Sequence, residues 1–333
     1  MICGFEILYL YSMSKACNIC GNQLNNTPYV VREMMIGLRE EFKYFQCANC
    51  ACLQIEEVPS DMNKFYPSNY YSFNQPLLKK NTKFQKWVAY NRSNYALFKK
   101  GIFGMFLNLI HPNPIFELIS STKINKNSKV LDVGCGSGNI LYSMMHSGMR
   151  NLKGIDPYLN EDILYENGLL IEKKELQEET GGWDLIMLHH VLEHMDHQKD
   201  VLKSIYLKLS DTGTCMIRIP TVSSFAWEKY KTNWVSLDAP RHFFLHSMKS
   251  FQLLIEEQGF YIDKVIYDST SFQFWASEQY INNIPLMDER SFSEHPENAF
   301  IKSTEVEMYE GLAKKLNEEN KGDQFVAFIK KKI

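Results

Sequence analysis

The segment Val130-Leu131-Asp132-Val133-Gly134-Cys135-Gly136-Ser137-Gly138 constrains this chain more than any other. An apolar strand-like run leads into three glycines at alternate positions, and a helix-forming stretch follows. Glycine adopts positive φ at no steric cost and lets the backbone approach a ligand closely. Strand and helix patterns alternate from there onward. Strands are expected at 129–134, 151–156, near 169–172, and at 183–189, 213–220, 260–268 and 324–331. Helices are expected over 138–147, 197–209 and 247–258. Such alternation builds a mostly parallel sheet covered by helices on both faces, so the fold class is α/β with seven strands. A long insertion before the last strand ends in the helix TEVEMYEGLAKKLNEENKG, with Thr304 as its expected N-cap.

The chain has 333 residues, enough for one large domain with additions. It contains no run of 18 apolar residues and therefore no expected transmembrane helix. Its first residues carry no basic region before their short apolar run and do not read as a secretory signal. Residues 1–14 are expected to be a disordered extension with the true start at Met13, and the cytoplasm is the default compartment.

The glycine turn has a chemical bias. A dinucleotide-binding turn places pyrophosphate at this point, but Asp132, two residues before the first glycine, would repel it. A carboxylate there suits a cation, such as the ammonium and sulfonium of S-adenosylmethionine (AdoMet). Asp156 ends the second strand and is placed to accept hydrogen bonds from ribose hydroxyls. LDVGCGSG, GIDP and WDLIMLHHVLEHMDH together resemble the motifs of the class I, Rossmann-like AdoMet-dependent methyltransferases, over roughly residues 110–333. The resemblance implies a seven-stranded sheet with a reversed last strand. It assigns Asp132, Gly134, Gly136 and Gly138 to the methionine end, Asp156 to the ribose, Leu176 to the adenine side, and His189 to the cofactor-facing end of the fourth strand.

Methyl transfer from a sulfonium is an in-line displacement, so the protein chiefly positions the acceptor. A hydroxyl acceptor also needs a base or a metal, because its pKa lies far above 7. Candidates lie beyond the fourth and fifth strands. His190, Glu193 and His194 would share one helical face. They resemble the metal-holding E-x-x-E-H segment of ubiquinone-pathway O-methyltransferases, with His190 in place of the first Glu. The loop after the fifth strand carries Trp227, Tyr230 and Trp234, which suit stacking on a sugar or ring, though a lid packed on the core is the plainer reading. Its RHFFLHS piece resembles a matching piece of zinc-domain-bearing sugar C-methyltransferases, in which the histidine is an acid/base candidate. That resemblance puts His242 first as catalytic base, ahead of His194 and His190. Arg241 replaces the partner Glu of those enzymes, which points toward oxygen rather than carbon, and an Arg there suits a phosphate or carboxylate.

Ahead of this domain, Cys17-x2-Cys20 and Cys47-x2-Cys50 form two knuckles. The spacing reads as a structural zinc held by four thiolates in a zinc-ribbon-like module over 15–58, with Cys52 able to compete for a place. The charge-mixed insert between the knuckles lacks a basic cluster, so no nucleic-acid partner is expected. Residues 59–111 read as a basic linker and helical cap, followed by the methyltransferase domain at 112–333. Phe84, Trp87, Val88, Tyr95 and Phe98 mark one helix face within the cap. From Met62 to Phe116 the chain has eight Lys or Arg and no Asp or Glu. That stretch could meet a phosphate-bearing acceptor, or a membrane surface through residues 79–110, or be a solvated face. The expected activity is AdoMet-dependent methylation of a hydroxyl on a sugar or glycan intermediate. A quinone or phenol O-methyltransferase and a non-catalytic AdoMet-binding zinc adaptor are the alternatives.

Overall fold

A computed structural model describes residues 15–66 and 82–332. The expected extension at 1–14, and Lys79 and Lys80 of the basic segment, lie outside the described residues. In chain order the elements are β1 (Thr27–Arg32), β2 (Glu41–Gln46), β3 (Leu53–Ile55), α1 (Lys83–Phe98), α2 (Ile102–Ile110), α3 (Pro114–Ser120), β4 (Val130–Val133), α4 (Asn139–Met145), β5 (Leu152–Ile155), β6 (Ile163–Leu164), β7 (Leu170–Glu172), β8 (Trp183–His189), α5 (Gln198–Lys208), β9 (Leu209–Pro220), α6 (Phe225–Tyr230), β10 (Phe244–Leu245), α7 (Met248–Glu257), β11 (Phe260–Tyr267), α8 (Phe272–Ile281), α9 (Ser303–Glu318) and β12 (Gln324–Lys331).

The large sheet runs β11-β12-β9-β8-β4-β5-β7-β6. Strands β9, β8, β4, β5 and β7 pair in parallel, while β12 is antiparallel to both its neighbours. This is the expected topology with its reversed last strand. It has eight strands rather than seven, because the two-residue β6 folds back antiparallel on the edge of β7. The sheet is apolar on both faces. Ile186 and Leu188 of β8 enter one core and Leu185 and Met187 the other, as the two-residue side-chain period dictates. Helices α5 and α7 cover the first face, and α1, α3 and α4 the second.

Two expectations change at element boundaries and one in which helix face is buried. Strand β9 starts at Leu209, so it is longer than the 213–220 pattern. Helix α9 begins at Ser303 with Lys302 as its cap residue, and Thr304 is already helical. The Glu305 carboxylate accepts from the Lys302 N–H at 3.0 Å and closes that end instead. Helix α1 forms where expected, but Phe84 and Trp87 face outward, and Ser93, Ala96 and Leu97 are its buried residues.

The cysteine module does not stand apart. Strand β10, from the loop after β9, pairs antiparallel with β3 and extends the small sheet to β1-β2-β3-β10. Cys17, Val31, Tyr44 and Leu53 pack in the same core as Leu131, Ile186 and Phe251 of the large domain. No helix among the described residues is long and apolar enough to cross a membrane.

Candidate active site at the carboxyl edge of the sheet

Strand β4 ends in the glycine turn. Gly134, Gly136 and Gly138 all have positive φ, at 66°, 54° and 77°. At two of them a side chain would also collide. A Cβ on Gly134 would lie 2.7 Å from Val191, and one on Gly138 would lie 2.4 Å from Ile171. Glycine is therefore required by both backbone and packing. Asp132 is buried beneath the turn, and burial followed by repulsion from Asp156 pushes its carboxyl up to about 8. Asp156 is also buried and shifted upward by burial. Its Oδ2 accepts from Gly136 N at 2.8 Å and its Oδ1 from Tyr158 N at 2.9 Å, so it organises the turn. Two buried carboxyls, both shifted upward by burial, form a site whose charge a cationic ligand would relieve. The donor set fits AdoMet.

Leu176 follows β7, and its side chain is buried in the main core. His189 ends β8. Burial, with help from Arg218 and His190, lowers its pKa to about 3, and neither ring nitrogen has a hydrogen-bond partner among the described residues.

His190 takes a positive φ of 53°, and only Leu192–His194 forms a helical turn, of the 3-10 type. The expected α-helical face is absent, yet the contact survives: His190 Nδ1 lies 3.2 Å from Glu193 Oε1. Glu193 is fully buried, with its Oε2 unpartnered among the described residues. Burial alone would raise its pKa. The bond to His190 and the nearby His194 and His242 overcome that and hold it at about 2. His194 and His242 meet edge to face with ring centroids 4.7 Å apart. Glu193, His194 and His242 each present a ligand-type atom within 4.8 Å of the others. His194 Nδ1 is 2.8 Å from the Arg241 carbonyl, and His242 Nδ1 is 2.7 Å from the Ser236 carbonyl. A carbonyl only accepts, so both rings carry hydrogen on Nδ1, and in a neutral ring the lone pair then lies on Nε2. Burial and then the neighbouring His194 lower the His242 pKa to about 4.

Arg241, expected to reach an anionic acceptor, is fully buried and already paired. Its guanidinium bonds Asp238 at 2.5 and 2.9 Å, Glu33 at 3.2 Å and the Phe65 carbonyl at 3.0 Å. The aromatic loop is likewise internal. Trp227, Tyr230 and Trp234 are buried, Trp234 Nε1 donates to Asp323 at 3.0 Å, and none offers a stacking face to a substrate. Glu33 and Tyr66 went unnoticed in the sequence. Glu33 lies in the charge-mixed insert, 208 positions from its Arg241 partner, and no local pattern marks it. The Tyr66 hydroxyl lies 3.5 Å from His194 Nδ1.

In the front module the four expected cysteines converge. Their sulfurs lie within 4.8 Å of one another, with Cys17–Cys50 and Cys20–Cys47 each at 3.5 Å. Cys52 is outside the cluster, and its thiol points to the Leu53 carbonyl. Four converging thiols with this spacing fit a tetrahedral metal.

Residues 112–265, a little under half of the chain, match a protein-family model described as a methyltransferase domain. The match reads this region as a methyltransferase domain, and the sheet order and glycine turn described above agree with it. Over 102 residues the chain is 29% identical to the mitochondrial ubiquinone biosynthesis O-methyltransferase of Saccharomyces cerevisiae, covering 27% of this chain and 33% of that protein. Over 118 residues it is 25% identical to the tRNA U34 carboxymethyltransferase of Helicobacter pylori, covering 31% of this chain and 44% of that protein. The chain thus spans about a third of one curated relative and under half of the other. A solved AdoMet-dependent methyltransferase from Archaeoglobus fulgidus is 18% identical, with a TM-score of 0.39 over 70% of this chain and all of that one.

Proposed function

We propose that this protein transfers a methyl group from AdoMet to a hydroxyl of a sugar or glycan intermediate. The observation that carries the reading is the cluster of Glu193, His194 and His242, the first two on the loop whose Val191 packs against Gly134 of the glycine turn. A hydroxyl, with a pKa far above 7, needs such a proton-accepting centre. AdoMet, when bound, supplies an electrophilic methyl on a cationic sulfur. His242 would take the hydroxyl proton on Nε2 and so leave the acceptor oxygen free to receive that methyl. The ionised Glu193 beside it stabilises the imidazolium. His194 and His190 rank behind His242. Asp132 and the turn hold the methionine end, Asp156 the ribose, His189 the wall nearby, and Leu176 only an edge of the adenine. The four-cysteine cluster holds a structural zinc.

The sugar assignment rests on the joint presence of a four-cysteine module and the RHFFLHS loop, since the buried aromatics lend it no support. A phenol or quinone acceptor is the second reading, favoured by the likeness to the yeast ubiquinone O-methyltransferase. Release of S-adenosylhomocysteine from a panel of nucleotide-sugars and catechol-type phenols tests both. Turnover with sugars alone supports the first reading, and turnover with phenols alone replaces it with the second. Tight AdoMet binding with no turnover on any acceptor would leave the protein an adaptor.

A further inference from the structure

Helix α2 is amphipathic in the inverse sense. Its buried residues are Gly104 and Asn108, while Ile102, Phe103, Met105, Phe106, Leu109 and Ile110 face outward. Ile102, Leu109 and Ile110 are 76%, 79% and 69% exposed. The inward face is built for that orientation. A Cβ on Gly104 would sit 2.3 Å from the Asn91 carbonyl oxygen, so glycine lets α2 close on α1. Asn108 donates to Glu117 at 3.0 Å and anchors the other end. Rotating α2 to bury its apolar side would break both contacts. Helix α1 extends the patch: Trp87 packs on Phe103 at 4.8 Å between centroids and on Phe84 at 6.0 Å, and both α1 rings stay exposed. An apolar face of this size on a helical hairpin marks a contact surface.

The charges around it select the occupant. Lys83, Lys86, Lys99 and Lys100 are exposed on the same hairpin, and no acidic residue occurs from Met62 to Phe116. A second copy would set one lysine-bearing, acid-free face against another of the same sign. Apolar bulk, an interfacial tryptophan and a lysine rim suit lipid acyl chains beneath anionic headgroups. We propose that the outer face of α1 and α2 docks on an anionic lipid surface, holding the enzyme at a membrane without spanning it. The inference is independent of the acceptor.

Flotation of the full-length protein with vesicles of phosphatidylcholine, alone or mixed with phosphatidylglycerol, tests it. Binding is expected to the mixed vesicles and at least roughly tenfold weaker to phosphatidylcholine alone. Phe106→Glu with Leu109→Glu abolishes it, and Lys99→Ala with Lys100→Ala weakens it roughly thirtyfold at low salt. AdoMet affinity, unchanged in all variants, reports that they fold. Absence of binding to the mixed vesicles overturns the proposal, as does wild-type binding by the Phe106/Leu109 variant. A dimer that becomes monomeric on Phe106→Glu with Leu109→Glu would also overturn it, by assigning the face to a second copy.

Discussion

The Arg241 guanidinium, from the loop after β9, lies 3.2 Å from the Glu33 carboxylate of the cysteine module, and both side chains have no exposed surface. Glu33 also accepts from the N–H groups of Met35, Ile36 and Leu38 at 2.9 Å each. The neighbouring Tyr44 hydroxyl donates to the His242 carbonyl at 2.9 Å, and Ser247 Oγ donates to the Cys50 carbonyl at 2.5 Å. The loop bearing His242 is therefore fastened to the module on both sides.

Glu33→Ala should destabilise the protein by about 3–5 kcal/mol, because a buried cation loses a partner and three N–H groups lose their acceptor. Denaturant unfolding followed by tryptophan fluorescence reads the loss. A change below about 1 kcal/mol would show that Asp238 alone satisfies Arg241.

Asp132→Ala and Asp156→Ala should each weaken AdoMet binding by about 1.5–3 kcal/mol, the scale of a hydrogen bond to a charged group. The Asp132 pKa of about 8 adds a pH signature. The cation favours the ionised carboxylate, so binding below pH 8 releases a proton and tightens as pH rises, levelling off above about 8. Calorimetry in buffers of different ionisation enthalpy measures the release. Asp132→Asn should abolish it, and an unchanged release in that variant would move the titrating group elsewhere.

His242→Ala should lower turnover about 10²–10⁴-fold with little change in AdoMet affinity. Since the His242 pKa is depressed to about 4, the base is already free at pH 6. The rate limb belonging to it should fall only as pH drops toward 4, not near the ordinary histidine value of about 6.5. Full turnover in His242→Ala, with loss in His194→Ala, would transfer the role to His194.

One zinc per chain should copurify, and Cys17→Ser or Cys47→Ser should lose it, while Cys52→Ser should keep it. Because β3 of the module carries β10, chelation should suppress turnover as well as loosen the module. Elemental analysis beside limited proteolysis checks both. A metal-free protein with an intact, protease-resistant module would refute the assignment.

Local pattern determined much of this protein. The LDVGCGSG turn, the β8 run WDLIMLH and the QFVAFIKK strand announce themselves because strand burial and glycine φ are properties of neighbouring residues. Two CxxC knuckles name four of five nearby cysteines for the same reason: short spacing sets which sulfurs can converge. Tertiary structure decided what each remaining side chain is available to do. Arg241 reads as a substrate contact and the aromatic trio as either a stacking surface or a packed lid, yet Glu33 and Asp238 consume the first and the core takes the others. The Glu193–His194–His242 cluster and the β3–β10 pairing join residues far apart in the chain. The outward turn of α2 depends on Gly104 seating against Asn91. Partners of this kind are chosen by packing across the whole fold, and no local sequence period encodes them.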